Sequence, residues 1–265
     1  MTPSDTAVRR RVLEATRVEA LHGWVTEIEA WPAGSHVWGH YAEQTPTGTA
    51  ICRTENVSAC HPGVASLVDG GLRALATDEL GEAAAAFKDK VNYKQPGGAG
   101  FSPHQDRLAY PGVDRVVSVL VAVDACSAES GCLWLADGVE EPLPTDERGV
   151  VRADTVAGLR WTPAELAPGD AVCIDGLTPH YSEANRSDRP RRVLVASYAP
   201  TSEGYGRDGY YAARQAEMAS ASARDGHFRI STLADFEGAE VATAVQAVEH
   251  CTHAVASQEH RSEKE

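Results

Sequence analysis

Between residues 116 and 198 the chain is a series of short, Val-rich runs separated by Gly, Pro and Asp clusters. β-Branched residues suit a pleated strand, and closely spaced turn residues bring successive strands together. This spacing favours a sandwich or barrel of the jelly-roll type. We therefore predict a mainly β fold with flanking helices and a double-stranded β-helix (jelly roll, cupin-like) core. The predicted strands are residues 116–123, 131–135, 149–156, 170–174 and 192–198.

Helical patterns flank this β-rich part. Apolar residues recur at helical spacing over residues 8–28 and 64–87, and Ala-rich segments at 209–223 and 239–256 are typical of helices. A chain of 265 residues with 43% apolar residues can bury one large core. We predict a single domain, 1–265, with a mainly helical part at 1–90, a jelly-roll core at 91–200, and a lid loop with C-terminal helices at 201–265.

The formal charge of −14 excludes two classes of partner. Nucleic acids and anionic membranes select for clustered Lys and Arg, so neither is an expected partner. No apolar run is long enough to span a bilayer. We expect a cytoplasmic protein that acts on a small molecule.

The stretch "FSPHQDRLAY" carries a His-x-Asp pair, His104 and Asp106. Side chains two apart on a strand point to the same side, and His180 follows a predicted strand elsewhere in the core. Two histidines and one carboxylate form the facial triad that leaves positions open on iron(II). Arg191 follows His180, and its planar guanidinium can grip a carboxylate with two hydrogen bonds. Arg192 is the alternative, because a one-residue slip reverses which side chain faces inward.

Three segments carry a resemblance: "KDKVNYKQPGGAGFSPHQDRLAY", "VSVLVAVDACSAESGCL" and "PHYSEANRSDRPRRVLVASY". Over about residues 87–198 the chain resembles the phytanoyl-CoA dioxygenase-like (PhyH) family of iron(II)/2-oxoglutarate-dependent oxygenases. The resemblance implies that the jelly-roll core carries Fe(II) on His104, Asp106 and His180. It also implies 2-oxoglutarate and O2 as cosubstrates, with Arg191 on the far carboxylate of 2-oxoglutarate.

The same resemblance indicates further cosubstrate contacts at Ser118, Asn92 and Lys94, although Ser118 and Asn92 are equally consistent with plain strand packing. In one place the chain departs from the family. Many members have Pro-Gly-Ser-His after the Gly-Cys-Leu strand, whereas this chain has Ala136 to Val139, "ADGV". A substrate-side histidine is therefore absent, and the substrate cannot be inferred by analogy.

Candidate substrate contacts are Arg53, Glu55 and Tyr205. Arg53 and Glu55 are either a structural ion pair or substrate contacts. Tyr205 belongs to a Tyr- and Gly-rich segment that is either a mobile lid or a surface loop.

The expected reaction is oxidation of a C–H bond, by hydroxylation or oxidative ring closure. The acidic composition favours a neutral or cationic metabolite, and an Ala- and Arg-rich chain is typical of high-GC bacteria. We therefore expect a tailoring step on a sugar or amino-sugar compound in antibiotic biosynthesis. An amino-acid or small-amine hydroxylase is the alternative within the family. A cupin-like metal hydrolase or isomerase and a non-catalytic binding module are the alternatives from other classes.

Overall fold

A computed structural model describes residues 8–32, 38–224, 230–231, 233 and 235–241 of the chain. The strands are β1 (Val8–Arg9), β2 (Gly39–Thr45), β3 (Gly48–Glu55), β4 (Ala84–Lys94), β5 (Phe101–His104), β6 (Val117–Ala122), β7 (Leu133–Ala136), β8 (Trp161–Ala164), β9 (Ala171–Asp175), β10 (His180–Ser182), β11 (Arg191–Pro200) and β12 (Ala239–Val241). The helices are α1 (Ala15–Glu29), α2 (Pro62–Val68), α3 (Gly71–Leu80), α4 (Ala153–Val156) and α5 (Arg207–Arg224).

The strands form two antiparallel sheets. The larger sheet has the order β1-β9-β6-β11-β4-β3-β2-β12, and the smaller has the order β5-β10-β7-β8. Strands that are distant in the chain are neighbours in both sheets, so the connections cross between the sheets as in a jelly roll. The prediction of a mainly β fold with a jelly-roll core is confirmed.

The two faces of the larger sheet have different partners. Along β11, Val193 and Val195 pack between the two sheets. Leu194, Ala196 and Tyr198 alternate with them and pack against the helices. Because side chains alternate across a strand, one Val-rich run supplies both the inner core and the outer one.

Helices cover the outer face of the larger sheet. α1 contributes Leu21, Val25 and Ile28 to this packing, and α3 contributes Leu72 and Ala76, all of them buried. The apolar surface on this side is therefore removed from water by helices rather than by a third sheet. The space between the two sheets is left for a cavity at one end of the inner core.

The predicted helix at 8–28 is wrong in its first part. Val8–Arg9 is strand β1, which pairs with β9, and the helix begins only at Ala15. Arg11 adopts a left-handed backbone with φ 54°, and its N–H donates to Asp170 Oδ1 at 2.8 Å. Pairing with the edge of a sheet therefore overrides the helical spacing of the apolar residues, which sequence periodicity cannot foresee.

The prediction of a mainly helical part at 1–90 misses a β-hairpin. Strands β2 and β3 pair with each other, and β3 also pairs with β4. The helical pattern at 64–87 ends early, because Gly81 has φ 71° and terminates α3. The N-terminal part thus extends the larger sheet as well as covering it.

Two further predictions are corrected, and one is confirmed. The predicted strand at 149–156 contains the short helix α4 instead. The predicted helix at 209–223 is confirmed as α5. The predicted helix at 239–256 begins as strand β12, which pairs with β2, and residues 242–256 lie outside the described residues. The single domain over 1–265 stays a prediction.

Within the described part of the chain, no helix has the length and apolar character needed to cross a membrane.

Candidate active site

Strand pairing brings two histidines and one aspartate together at one end of the inner core. His104 ends β5, His180 begins β10, and the two residues lie opposite each other in the antiparallel register. Asp106 begins the 3₁₀ turn that follows β5. One possible ligand atom from each of these side chains lies within 4.8 Å of the others.

The hydrogen bonds of both imidazoles involve Nδ1 and leave Nε2 of each ring free to bind a metal. His104 Nδ1 lies 2.7 Å from the carbonyl oxygen of Ser102, and His180 Nδ1 lies 3.0 Å from that of Thr178. A carbonyl only accepts, so the proton of each ring is on Nδ1 and the lone pair is on Nε2. The Nε2 atoms lie 3.8 and 3.9 Å from Asp106 Oδ1. This donor set fits a divalent transition metal.

The electrostatics of the cluster favour the ligand forms of these side chains. Burial, together with the neighbouring imidazole of His104, lowers the pKa of His180 to about 4. Burial alone would raise the pKa of Asp106, but the imidazoles of His180 and His104, the Lys90 ammonium and the Ser118 hydroxyl lower it. At neutral pH, His180 is therefore neutral and Asp106 is ionised.

Ser118 contacts the aspartate of this cluster. Its Oγ donates to Asp106 Oδ2 at 2.9 Å and lies 3.0 Å from Ser197 Oγ. The hydroxyl therefore orients the carboxylate that would bind the metal. The predicted contact between Ser118 and the cosubstrate stays a prediction.

Arg191 and Arg192 point to opposite faces of β11. Arg192 places Nε and Nη2 at 2.7 and 2.8 Å from the two carboxylate oxygens of Asp124, and Nη1 donates to Thr26 of α1. Arg191 lines the cavity beside the histidines. Its Nη2 donates to the Gly131 carbonyl at 2.6 Å, and its buried Nε has no hydrogen-bond partner. The register thus places Arg191 at the cavity, whereas its role as a carboxylate clamp stays a prediction.

Lys94 lies opposite Arg191 in the pairing of β4 with β11. Its ammonium donates to Ser182 Oγ at 2.8 Å and to the Glu183 carbonyl. Burial and the charge of Arg191 lower the pKa of Lys94 well below its usual range, and burial also lowers the pKa of Arg191. No carboxylate of the described residues forms an ion pair with either cation, so this end of the cavity suits an anion.

Asn92 and Arg53 form one hydrogen-bonded pair in the cavity wall. The Nε of Arg53 donates to Asn92 Oδ1 at 3.0 Å, and its Nη1 donates to the Ile230 carbonyl. The guanidinium carbon lies 5.6 Å from the centre of the Phe101 ring. Both predicted contacts therefore reach the cavity.

Glu55 lies outside the cavity wall and inside an ion-pair network. Its carboxylate lies 3.2 Å from Lys88 Nζ and accepts a hydrogen bond from Tyr41 at 3.1 Å. Burial alone would raise the pKa of Glu55, but the Lys88, Arg214 and Arg53 cations lower it to about 2. The ion-pair partners of Glu55 are thus Lys88 and Arg214 rather than Arg53, and its substrate contact stays a prediction.

Tyr205 is also not part of the cavity wall. Its ring packs edge-on against Phe87, with 5.0 Å between the ring centres, beside Tyr110 and Tyr210. The residues that follow form helix α5 instead of a loop. Tyr210 is buried and Tyr205 and Tyr211 are partly buried beside Phe87 of β4, and the lid stays a prediction.

Sequence reasoning missed four charged residues of the cavity wall, Glu43, Lys88, Lys90 and Asp235. The two lysines share a face of β4 with Asn92 and Lys94, so the period of two along "KDKVNYK" could have identified them. No local signal marks Asp235. It reaches the site from a segment far along the chain, whose backbone pairs with β5.

Comparisons with known proteins agree with this geometry. The model of the phytanoyl-CoA dioxygenase (PhyH) family matches residues 6–193. A methylphosphonate hydroxylase from Gimesia maris is 36% identical over 230 residues, which are 85% of this chain and 88% of that protein. A 2-aminoethylphosphonate dioxygenase from an uncultured bacterium is 37% identical over 206 residues, which are 75% of this chain and 79% of that protein.

Two solved structures have a similar fold. The non-heme alpha ketoglutarate dependent epimerase SnoN from nogalamycin biosynthesis has a TM-score of 0.62 at 22% identity, covering 73% of this chain and 77% of that one. EctD from S. alaskensis with bound Fe has a TM-score of 0.61 at 19% identity, covering 74% of this chain and 73% of that one. At this level of identity the likeness concerns the fold.

We expect His104→Ala, Asp106→Ala and His180→Ala each to weaken iron(II) binding by more than about tenfold, because loss of an outer-shell partner alone costs about 10–100-fold. Anaerobic equilibrium dialysis with metal analysis measures the affinity. His22→Ala is the control, since His22 is largely exposed and belongs to the opposite side of the sheet. Near-normal iron affinity in any of the three variants would remove that residue from the ligand set.

Proposed function

This chain belongs to the phytanoyl-CoA dioxygenase (PhyH) family and is an iron(II)/2-oxoglutarate-dependent dioxygenase, and on that premise we propose that it oxidises a C–H bond of a small organophosphonate. The membership decides against the hydrolase, isomerase and non-catalytic alternatives. The observation that carries the substrate proposal is the excess of cationic side chains in the cavity, beyond what 2-oxoglutarate needs.

Each part of the site has a proposed role. His104, Asp106 and His180 hold iron(II), and Arg191 with Lys94 binds the far carboxylate of 2-oxoglutarate. Bound iron(II), with 2-oxoglutarate and dioxygen, supplies the oxidising power that removes hydrogen from an unactivated C–H bond. The protein positions the substrate carbon next to the metal and keeps water away from it.

The cavity is cationic although the chain is strongly acidic. Among the described residues, five cationic side chains and three acidic ones line the cavity. The whole chain, in contrast, has a formal charge of −14. Asp106 is one of the three acids and is assigned to the metal. The cationic residues are Arg53, Lys88, Lys90, Lys94 and Arg191.

One cosubstrate does not account for all these cations. Lys94 pairs with Arg191 across β4 and β11, whereas Lys90 pairs with Val195, four residues along the strand and roughly 13 Å away. Glu55 compensates Lys88. The Lys90 amino group makes no hydrogen bond or ion pair with any residue that the structure describes, and burial with the charges of Arg53 and Lys88 lowers its pKa well below the usual range, a shift that a bound anion would oppose. Lys90, with Arg53 nearby, is therefore available for a second anion.

A phosphonate meets these requirements. Its oxygens form charge-assisted hydrogen bonds with ammonium and guanidinium groups, as phosphate oxygens do. The two relatives with the longest matches reported above have names that specify phosphonates. The charge of the cavity favours such an anion over the neutral or cationic sugar expected from the overall charge, since overall charge does not define the charge of a pocket.

We expect organophosphonates to stimulate succinate formation coupled to their own oxidation. The measurement is a succinate assay, with mass analysis of the product, on methylphosphonate, 2-aminoethylphosphonate, aminoglycosides, oligosaccharides and free amino acids. Coupled turnover of a sugar or an amino acid, with no response to any phosphonate, would contradict the proposed substrate class and leave the metal site unaffected.

Lys90→Met should raise the KM for the phosphonate about 10–100-fold, because it removes one charge-assisted hydrogen bond and keeps the apolar stem. The KM for 2-oxoglutarate should change little. Steady-state kinetics with each substrate varied separately measures both constants. Arg189→Met is the control, since Arg189 is exposed at the surface. An equal rise in both KM values would argue against a substrate contact.

Arg191→Ala should raise the KM for 2-oxoglutarate about 10–100-fold through loss of a buried charge-assisted contact, with little change in iron(II) affinity. Arg192→Ala is the matched control and should instead lower the free energy of unfolding, since it breaks the contact between β11 and Asp124. Kinetics and urea denaturation of both variants measure these effects. Exchange of the two phenotypes would mean that the assigned register is wrong.

A further inference from the structure

Asp235 places a buried carboxylate in the cavity wall, and one of its two oxygens has no donor among the described residues. The residue is 2% exposed. Its Oδ1 has no hydrogen-bond partner. Its Oδ2 lies 3.1 Å from His104 Nδ1, but the proton of that nitrogen points to the Ser102 carbonyl, at 2.7 Å. The described residues therefore leave this carboxylate without a hydrogen bond of its own.

The position of Asp235 is held by the backbone. Its carbonyl accepts from the Ser102 N–H at 2.8 Å, and the Glu237 N–H donates to the Gly100 carbonyl at 3.1 Å. Phe236 forms a bridge with Phe101, and the two ring centres are 5.0 Å apart. The segment is thus paired with β5, and the carboxylate faces the cavity from a defined place.

A buried carboxylate without donors is strongly unfavourable, so the missing donor requires a source. Arg53 also lines the cavity, and it lies over Phe101, which packs against Phe236. Arg53 nevertheless donates to Asn92 and to the Ile230 carbonyl and forms no ion pair with Asp235. Arg53 and Asp235 therefore both line the cavity without pairing with each other.

We propose that Asp235 accepts a hydrogen bond from a cationic amino group of the substrate, so that the site selects zwitterionic aminoalkylphosphonates over plain alkylphosphonates. This inference rests on the proposed function, with Lys90 and Arg53 on the phosphonate. An ammonium supplies both the donors and the positive charge that the carboxylate lacks. Asp235 is in this account a specificity-determining residue of the substrate site.

Matched ligand pairs that differ only in the amino group test the assignment. The pairs are 2-aminoethylphosphonate with ethylphosphonate, 2-aminoethanesulfonate with ethanesulfonate, and 3-aminopropanoate with propanoate. Anaerobic calorimetry on the enzyme with iron(II) and 2-oxoglutarate measures each affinity. We expect the wild type to bind the amino member at least about tenfold more tightly, and Asp235→Asn to lose most of that ratio with little change for ethylphosphonate.

Glu237→Gln is the matched control on the same segment. Its carboxylate accepts from Ser102 Oγ at 2.9 Å in an exposed position, so the variant should keep the wild-type ratio. Iron(II) affinity is measured in both variants. If Asp235 acted only by orienting His104, Asp235→Asn would weaken iron binding and reduce the affinity of both members of a pair equally, which would overturn the proposal.

The same data separate the two proposals. If the sulfonate or carboxylate pair shows an amino preference that depends on Asp235, this inference is supported, even when no phosphonate binds. The failure of phosphonates to bind would reject only the proposed substrate class. Phosphonate binding without an amino preference rejects the role of Asp235 alone. A wild type that shows no amino preference in any pair, or binds none of these ligands, overturns the inference.

Discussion

The pairing of β4 with β11 is the constraint on which the cavity depends. It places Lys94 opposite Arg191 and Lys90 opposite Val195, so one face of this ladder carries the cations of the cavity. The other face packs against the helices through Leu194 and Ala196. A shift by one residue would place Arg192 at the cavity and Arg191 on the side of the helices. Two hydrophobic layers, one on each side of the larger sheet, thereby determine where the charged groups point.

The charges buried by this pairing divide into compensated and uncompensated groups. Arg192 with Asp124, and Lys88 with Glu55, have partners at salt-bridge distance. Arg191, Lys94 and Lys90 have none among the described residues, although each side chain lines the cavity. Burying a charge without a partner is unfavourable, and a fold keeps such groups where a ligand completes them. The uncompensated charges therefore mark the places where 2-oxoglutarate and the substrate are proposed to bind.

Metal binding depends on atoms beyond the three proposed ligands. The carbonyl oxygens of Ser102 and Thr178 select the tautomer of each histidine, and Ser118 orients the carboxylate of Asp106. The two carbonyls belong to the residues two positions before each histidine, so the local backbone sets the ring orientation before any metal arrives. Strands hold Ser102, His104, Ser118 and His180, whereas Asp106 and Thr178 lie in the turns next to β5 and β10.

The sequence by itself determined the features that arise from local pattern. Alternating Val-rich runs with turn residues were sufficient for the jelly-roll core, and the short motifs around His104, Asp106 and His180 identified the residues that cluster. Local pattern could not choose between Arg191 and Arg192, because either is compatible with a strand and only the long-range register decides. Local pattern also left the roles of Glu55 and Tyr205 open, since both roles depend on which residues of β4 lie next to these side chains. Asp235 joins the cationic residues of the cavity wall only in the tertiary structure, because side chains far apart in the chain meet there only after the sheets have formed.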